Sequence, residues 1–510
     1  MDINRRQLLR GAVAAGAVGV AGSVAGAPRA RAATRGTADF CALAAGLDGT
    51  LVLPEDRDYD QARQLFSPRY DTVRPAAVAY PAHARDVATC LGFARGTGTP
   101  IVPRGGGHSY AGWSTGTGLV LDLGRMAQVS PSSGGAAVGA GARLSDVNGV
   151  LTAQGSAFPT GLCPSVDIAG LTLGGGIGVT GRAYGTTSDN LAGATVVTPD
   201  GRIREVDATH EPELFWALRG GGGGNFGVVT EFRFRTHGIQ DCAHAELHWP
   251  WADAAALVDA WQRWAPGLPE QLWSLLEFDV QSGPPSPYVG IVSLDGSALL
   301  EQHLDELVRL VGSAPSDNFL AVRSYGDTMR KLAGCLDLTA AQCRLPGTLP
   351  GRDPQGQLSR DTYTSRSDFW NSELPAAGID AVLAAVARYA DATPPGGQGV
   401  VQFDGMGGAA INRPRPDDTA FVHRGARFLA QYLAYWPADA PAEDVRRHRG
   451  WLDDLWSSLR PWAGGEAYQN YIDPALPNWR QAYYGDNLDR LQRARQQYDP
   501  DRLLGFPQGL

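Results

Sequence analysis

A run of five glycines, Gly220 to Gly224, limits what this chain can become more tightly than any other feature, and it has company. Gly105-Gly106-Gly107 stands directly before His108, and the run from Gly174 to Gly178 is interrupted only by Ile177. Glycine reaches positive φ without a Cβ clash and lets another group approach the backbone closely, but it costs entropy to order. Three such clusters in one chain therefore need a reason. Successive N–H groups in a glycine turn form a concave anion site, which suits a pyrophosphate. Taken alone, a three-glycine run serves equally as a tight turn between strand and helix. A Walker-type phosphate loop needs a terminal Gly-Lys-[Ser/Thr], which this chain lacks, and no G-x-G-x-x-G opens its first helix. A dinucleotide held here is held by another architecture.

Length and charge narrow the classes. A chain of 510 residues exceeds one small core and implies two or three domains or one large composite fold. A net charge of −9 with no basic stripe argues against nucleic acid as a partner. Asn4-Arg5-Arg6-Gln7-Leu8-Leu9, an uncharged stretch from Gly11 to Pro28 and Ala30-Arg31-Ala32 make residues 1–33 read as a twin-arginine signal peptide with a cleavage site. The alternative is an N-terminal anchor, for which that stretch is short and weakly apolar. The expectation is an exported protein, extracellular or in the cell envelope, monomeric or dimeric, with no stable membrane insertion after cleavage. Twin-arginine export carries folded proteins, often with a cofactor already bound. Export also permits disulfides. Of six cysteines, Cys335 with Cys343 and Cys41 with Cys90 are candidate pairs, leaving Cys163 and Cys242; the pairing stays open.

Along the chain, residues 34–240 read as a first unit of alternating short strands and helices, with a hairpin turned at Pro199-Asp200-Gly201. Residues 241–455 are richer in tryptophan and proline and read as a second unit of sheet plus helices, including the strands "LWSLLEFDV" and "GVVQFDGMGG" and a helix over 379–390. Residues 456–510 change texture again and contain a polar amphipathic helix stopped at Asp499-Pro500.

Five stretches carry a resemblance: RGGGHSY at 104–110, GLCPSVDIAGLTLGGGIG at 161–178, GGGGNFGVVT at 221–230, NYID at 470–473, and WRQAYYGDNLDRL with YDP at 479–500. In this order, they make the chain resemble the berberine-bridge-enzyme-like branch of the FAD-linked oxidases with the vanillyl-alcohol-oxidase (PCMH-type) fold. The resemblance runs from about residue 65 to the C-terminus. It implies an α+β fold: a two-part FAD-binding domain with an inserted substrate domain, an antiparallel sheet covered by helices, and a C-terminal segment that completes the FAD domain.

The same resemblance implies FAD attached twice, through His108 to the 8α position of the flavin ring and through Cys163 to its 6 position. Neutral imidazole and thiolate are the nucleophiles available near neutral pH. From the residues alone, His108 equally reads as a loop hydrogen-bonder and Cys163 as a disulfide partner or buried thiol. Arg104, Gly105, Gly106, Gly107 and Ser109 would wrap the pyrophosphate. Gly174, Gly175, Gly178, Gly223, Asn225 and Gly227 would let backbone approach the ribityl chain and adenosine, and the turn carrying Tyr484 and Asn487 would approach the ring. No metal is called for.

Alcohol oxidation by a flavin needs a hydride acceptor and a base for the hydroxyl proton. The resemblance assigns the base to Tyr471, paired with Asp404 as one proton-sharing unit; the bland alternatives are a core tyrosine and an aspartate that caps a glycine turn. Ile177 stands where an anthracycline-oxidising relative has a second catalytic tyrosine, which favours the aspartate–tyrosine version. The resemblance also implies that Val166, three residues after Cys163, goes with O2 as acceptor and H2O2 as product. Tyr110, Trp113 and Tyr184 are candidate pocket residues, and Trp249, Trp251, Trp273, Tyr288, Tyr325, Trp370, Tyr432 and Tyr435 are candidates to face substrate. The expected substrate is a small alcohol, either a sugar hemiacetal or a secondary alcohol of a glycosylated or polyketide metabolite. The alternatives are oxidative cyclisation or amine or C–H oxidation by the same flavin, and, from a different class, an exported binding protein without flavin.

Overall fold

The computed structural model describes residues 38–510 apart from Ser282 and Ala409; the twin-arginine segment lies outside the described residues. Three sheets organise the chain, and the fold is α+β. The first sheet has the order Thr50–Val52, Ala77–Tyr80, Leu119–Asp122, Ile101–Arg104, with the last two pairings parallel. Its strands are short and almost wholly apolar because both faces are covered, as parallel strands require. The helix Ala84–Thr97 makes the crossover and stops at Gly98 in the left-handed conformation. The second sheet is antiparallel, in the order Val129–Ser132, Gly135–Gly139, Val228–Arg235, Leu191–Val197, Ile203–Val206. Its Leu191–Val197 and Ile203–Val206 strands form the hairpin expected around Gly201.

All seven strands of the third sheet lie between Cys242 and Tyr435, and every pairing is antiparallel. Four helices, Ala254–Trp264, Gly296–Val311, Ala376–Ala392 and Ala442–Leu459, pack on one face. The two-residue period of a strand sorts the side chains. In Leu272–Val280, Leu272, Leu276, Phe278 and Val280 face the helices, while Trp273, Leu275, Glu277 and Asp279 face the opposite way. In Gln398–Gly405, Val401 and Phe403 face the helices while Gln402 and Asp404 face away.

The C-terminal segment returns to the first core: Leu476, Ala482, Tyr483, Leu491 and Leu504 pack with Leu119, Leu173 and Val228. The single helix expected there is broken in two, Trp479–Tyr484 and Leu488–Tyr498, because Gly485 takes φ +46° between them. Cys335 and Cys343 are joined in a disulfide. Cys41 and Cys90 are not: Cys41 faces solvent on the Phe40–Ala45 helix, whereas Cys90 points into the core beside Val87 and Leu91. Among the described residues, no helix is long and apolar enough to cross a membrane.

Candidate active site

One cavity of about 1570 Å³ runs from the glycine loops to the face of the large sheet that the helices leave open. A pocket for one drug-sized ligand is on the order of 300–1,000 Å³, so a cofactor and a second molecule fit in one continuous space. Backbone forms one end: Gly105, Gly106, Gly107, Gly178, Gly223 and Gly227 all line it. A Cβ at Gly105 would overlap the Asp167 carboxylate, and one at Gly178 the Thr160 carbonyl. Asp167 caps the Ile168–Leu173 helix, accepting from the N–H of Ala169 (2.9 Å) and Gly170 (3.2 Å), and also accepts from the Gly106 N–H, which pins the cysteine loop against the first glycine loop. Arg104 also lines the cavity, but its guanidinium is committed to the Asp122 carboxylate at 2.5 Å and the Ala62 carbonyl at 2.5 Å. Ser109 accepts from the Trp113 N–H at 3.1 Å, and Tyr110 and Trp113 line the same cavity.

His108 and Cys163 arrive on one wall from loops far apart in sequence. Between them stands Ser165, a residue the sequence reading missed, whose hydroxyl lies 3.0 Å from His108 Nε2 and 3.7 Å from Cys163 Sγ. The His108 ring stacks on Phe66 with centroids 4.0 Å apart. Burial, reinforced by the Arg143 guanidinium, pushes His108 down to about 3, so the imidazole is neutral. Burial also raises the Cys163 thiol, opposed by the Ser165 hydroxyl and by the N–H groups of Ser165 and Val166. Cys163 is a free thiol that opens onto the cavity, and Val166 lines the cavity beside it.

The acid–base groups line the same cavity. Asp404 is buried and accepts both N–H bonds of Gln402, at 3.0 and 2.9 Å. Burial pushes it up to about 7, and the negative charge of Glu277 on the neighbouring strand adds to the shift against the Gln402 bonds. Tyr471 stacks parallel to Tyr110 at 5.5 Å and meets Tyr468 edge-on at 4.9 Å. Burial lifts its hydroxyl well above the usual tyrosine range, and the neighbouring Tyr110 and Asp404 add to the shift. Gln431 donates to the Tyr110 hydroxyl at 2.9 Å.

The expected site residues divide. Arg104, Gly105, Gly106, Gly107, His108, Ser109, Cys163, Val166, Gly178, Gly223, Gly227, Asp404 and Tyr471 meet around the cavity. Gly174, Gly175, Asn225, Tyr484 and Asn487 do not line it, and each has a packing reason. Gly174 makes room for the Asn470 side chain and Gly175 for Phe421. Asn225 accepts from Arg495 and the Leu510 N–H, both at 3.1 Å, and so holds the C-terminus. Tyr484 is buried beside Asn225, and Asn487 donates to the carbonyls of Pro416 (2.7 Å) and Thr419 (3.1 Å). Tyr184 stacks on His237 away from the cavity. Of the candidate aromatics, Trp273, Tyr288 and Tyr435 reach the cavity, while Trp249, Trp370 and Tyr432 are core.

Comparison with known proteins agrees with this geometry. Residues 75–207 match the FAD binding domain family and residues 467–510 the family described as berberine and berberine like. The chain is 30% identical to the FAD-linked oxidoreductase YgaK of Bacillus subtilis over 91% of its length and 97% of the relative's. It is 30% identical to a xylooligosaccharide oxidase of Thermothelomyces thermophilus over 86% of this chain and 87% of that one. Among solved structures, BBE-like 1 of Physcomitrella patens superposes with a TM-score of 0.81 at 27% identity, covering 92% of this chain and 98% of that one. A cavity walled at one end by backbone and lined by an imidazole, a thiol, a carboxylate and a phenol fits an FAD with room beside it, and the chain belongs to the berberine-bridge-enzyme-like family of FAD-linked oxidoreductases.

Proposed function

We propose that this protein is an exported alcohol oxidase that takes a hydride from a sugar hemiacetal or a comparable secondary alcohol onto FAD held through both His108 and Cys163, with O2 as final acceptor and H2O2 as product. The observation that carries this reading is the shared cavity: His108, Cys163, Asp404 and Tyr471 all line it. A relative named xylooligosaccharide oxidase supports a sugar alcohol as substrate. The flavin supplies the hydride acceptor when bound.

The chain's own part is proton handling. Tyr471 keeps its proton at neutral pH, whereas Asp404, raised to about 7, is about half ionised there. A phenolate beside an ionised carboxylate is disfavoured, so in the half with Asp404 ionised the pair holds one proton between them. Tyr471 takes the substrate hydroxyl proton as its own passes to the Asp404 carboxylate. Gln402 holds that carboxylate by both oxygens, and Tyr110 fixes the plane of the Tyr471 ring by stacking. Trp273, Tyr288 and Tyr435 give the substrate apolar surface.

Anaerobic mixing with xylo-, cello- and chito-oligosaccharides tests the reading. Bleaching of the flavin band by at least one of them, with H2O2 released once air is admitted, is the expected result. No bleaching by sugars but bleaching by an amine would move the protein to the amine and C–H oxidising class.

A further inference from the structure

Ser165 is used by neither proton transfer nor hydride transfer, yet it touches both groups proposed to carry the flavin. Its side chain is buried, 7% exposed. Its hydroxyl has one neighbour on each side, His108 Nε2 at 3.0 Å and Cys163 Sγ at 3.7 Å. The loop that carries it is held by the Leu144 N–H on the Val166 carbonyl (2.9 Å), the Ser145 N–H on the Pro164 carbonyl (3.2 Å) and the Asp167 cap. The hydroxyl is thus fixed in place by backbone on both sides.

We propose that Ser165 is the positioning residue for flavin attachment, one hydroxyl that orients the imidazole and readies the thiol. This rests on the double attachment proposed above. A neutral imidazole has one protonated and one free nitrogen. With Nε2–H donating to Ser165 Oγ, the lone pair of Nδ1 is free to attack. The Ser165 O–H then points to Cys163 Sγ and favours the thiolate, the form that attacks carbon. Attachment through His108 forms an N–C bond to the 8α carbon and breaks one C–H bond of that methyl and the imidazole N–H. Attachment through Cys163 forms an S–C bond at position 6 and breaks that C–H and the S–H. In each case two protons are released and two electrons go to the ring, from which O2 removes them as H2O2.

The test compares wild-type protein with Ser165→Ala and Ser165→Thr, each purified with the flavin it acquires in the cell. Acid precipitation separates attached from free FAD, and intact mass and peptide mapping count the bonds. Wild type is expected to be fully doubly attached. Ser165→Ala should leave at least half of its flavin singly attached or free, with unchanged melting temperature after FAD saturation, and Ser165→Thr should restore double attachment. A Ser165→Ala protein as fully doubly attached as wild type overturns the proposal, as does a threonine variant no better than alanine. If Ser165→Ala fails to fold, the threonine variant and Ser165→Gly carry the same comparison. Wild-type protein whose flavin is all released by acid would refute the double attachment itself, and the role of Ser165 with it.

Discussion

Replacing Asp404 with asparagine removes the proton acceptor with little change of shape, and the structure sets the size of two effects. The folded state holds the Asp404 proton up to about 7, against an ordinary value of 3.8. At 1.36 kcal/mol per pH unit this is about 4 kcal/mol spent on keeping a buried carboxylate ionised above pH 7. The sign follows from proton uptake. Between 3.8 and about 7 the folded chain binds a proton that the unfolded chain has released, so stability falls as pH rises through that window. A neutral amide at this position has no such cost. Asp404→Asn should therefore be more stable than wild type at pH 8, by roughly 1–4 kcal/mol, and should lose most of that advantage near pH 4. Its catalytic effect is opposite. In wild type the ionised fraction of Asp404 rises about tenfold from pH 6 to pH 8, and flavin reduction should rise with it. In Asp404→Asn, reduction should be slower by about 10²–10⁴-fold and lose that limb. Stopped-flow reduction at three pH values and urea melts at pH 4 and 8 measure both. A wild-type rate that is flat between pH 6 and 8, or an asparagine variant less stable at pH 8, would refute the assignment of a buried, high-pKa base.

The remaining predictions follow from the same cavity. Glu277→Gln removes the negative neighbour that raises Asp404, so the limb in the reduction rate should move to lower pH; movement upward would contradict the electrostatic account. Tyr471→Phe should slow flavin reduction while leaving the flavin spectrum nearly unchanged, and reduction at the wild-type rate would remove Tyr471 from the proton path. The open arm of the cavity is lined by Glu246, Glu277, Asp279, Asp317, Asp337 and Asp361, with Lys331 its ammonium. Oligosaccharides bearing uronic acids should therefore show kcat/KM about tenfold below their neutral counterparts, the gap narrowing with salt. The Cys335–Cys343 bridge closes a loop whose Leu336, Asp337 and Leu338 line that arm. Replacing both cysteines with serine should cost about 2–3 kcal/mol by loop entropy and raise KM more than it changes kcat.

How much of this was legible beforehand depends on whether the signal is local. The strands Leu272–Val280 and Gln398–Gly405 are readable from their composition and flanking turns, and the helix Ala376–Ala392 from its spacing. Glycine clusters announce close approach but not the identity of the approaching group. Gly105 and Gly178 face the cavity, while Gly174 and Gly175 make room for Asn470 and Phe421. Glu277 and Gln402 were invisible as site residues because their meeting depends on the register between two strands more than a hundred residues apart. The two-residue alternation of each strand, with its phase set by which face the helices cover, sends Trp273 and Tyr435 to the cavity and Tyr432 to the core. Ser165 lay inside a quoted motif, and only the folded pairing of the two loops shows what its hydroxyl touches.

The most direct test of the central claim is the attachment state of the flavin in the mature chain. Acid-precipitated protein should give a yellow pellet, an intact mass raised by one FAD, and, after digestion, one flavin-linked species that joins the His108 and Cys163 peptides. His108→Ala and Cys163→Ala should each retain a single bond. A colourless pellet under a yellow supernatant, or a pellet whose flavin maps to neither residue, would contradict the account.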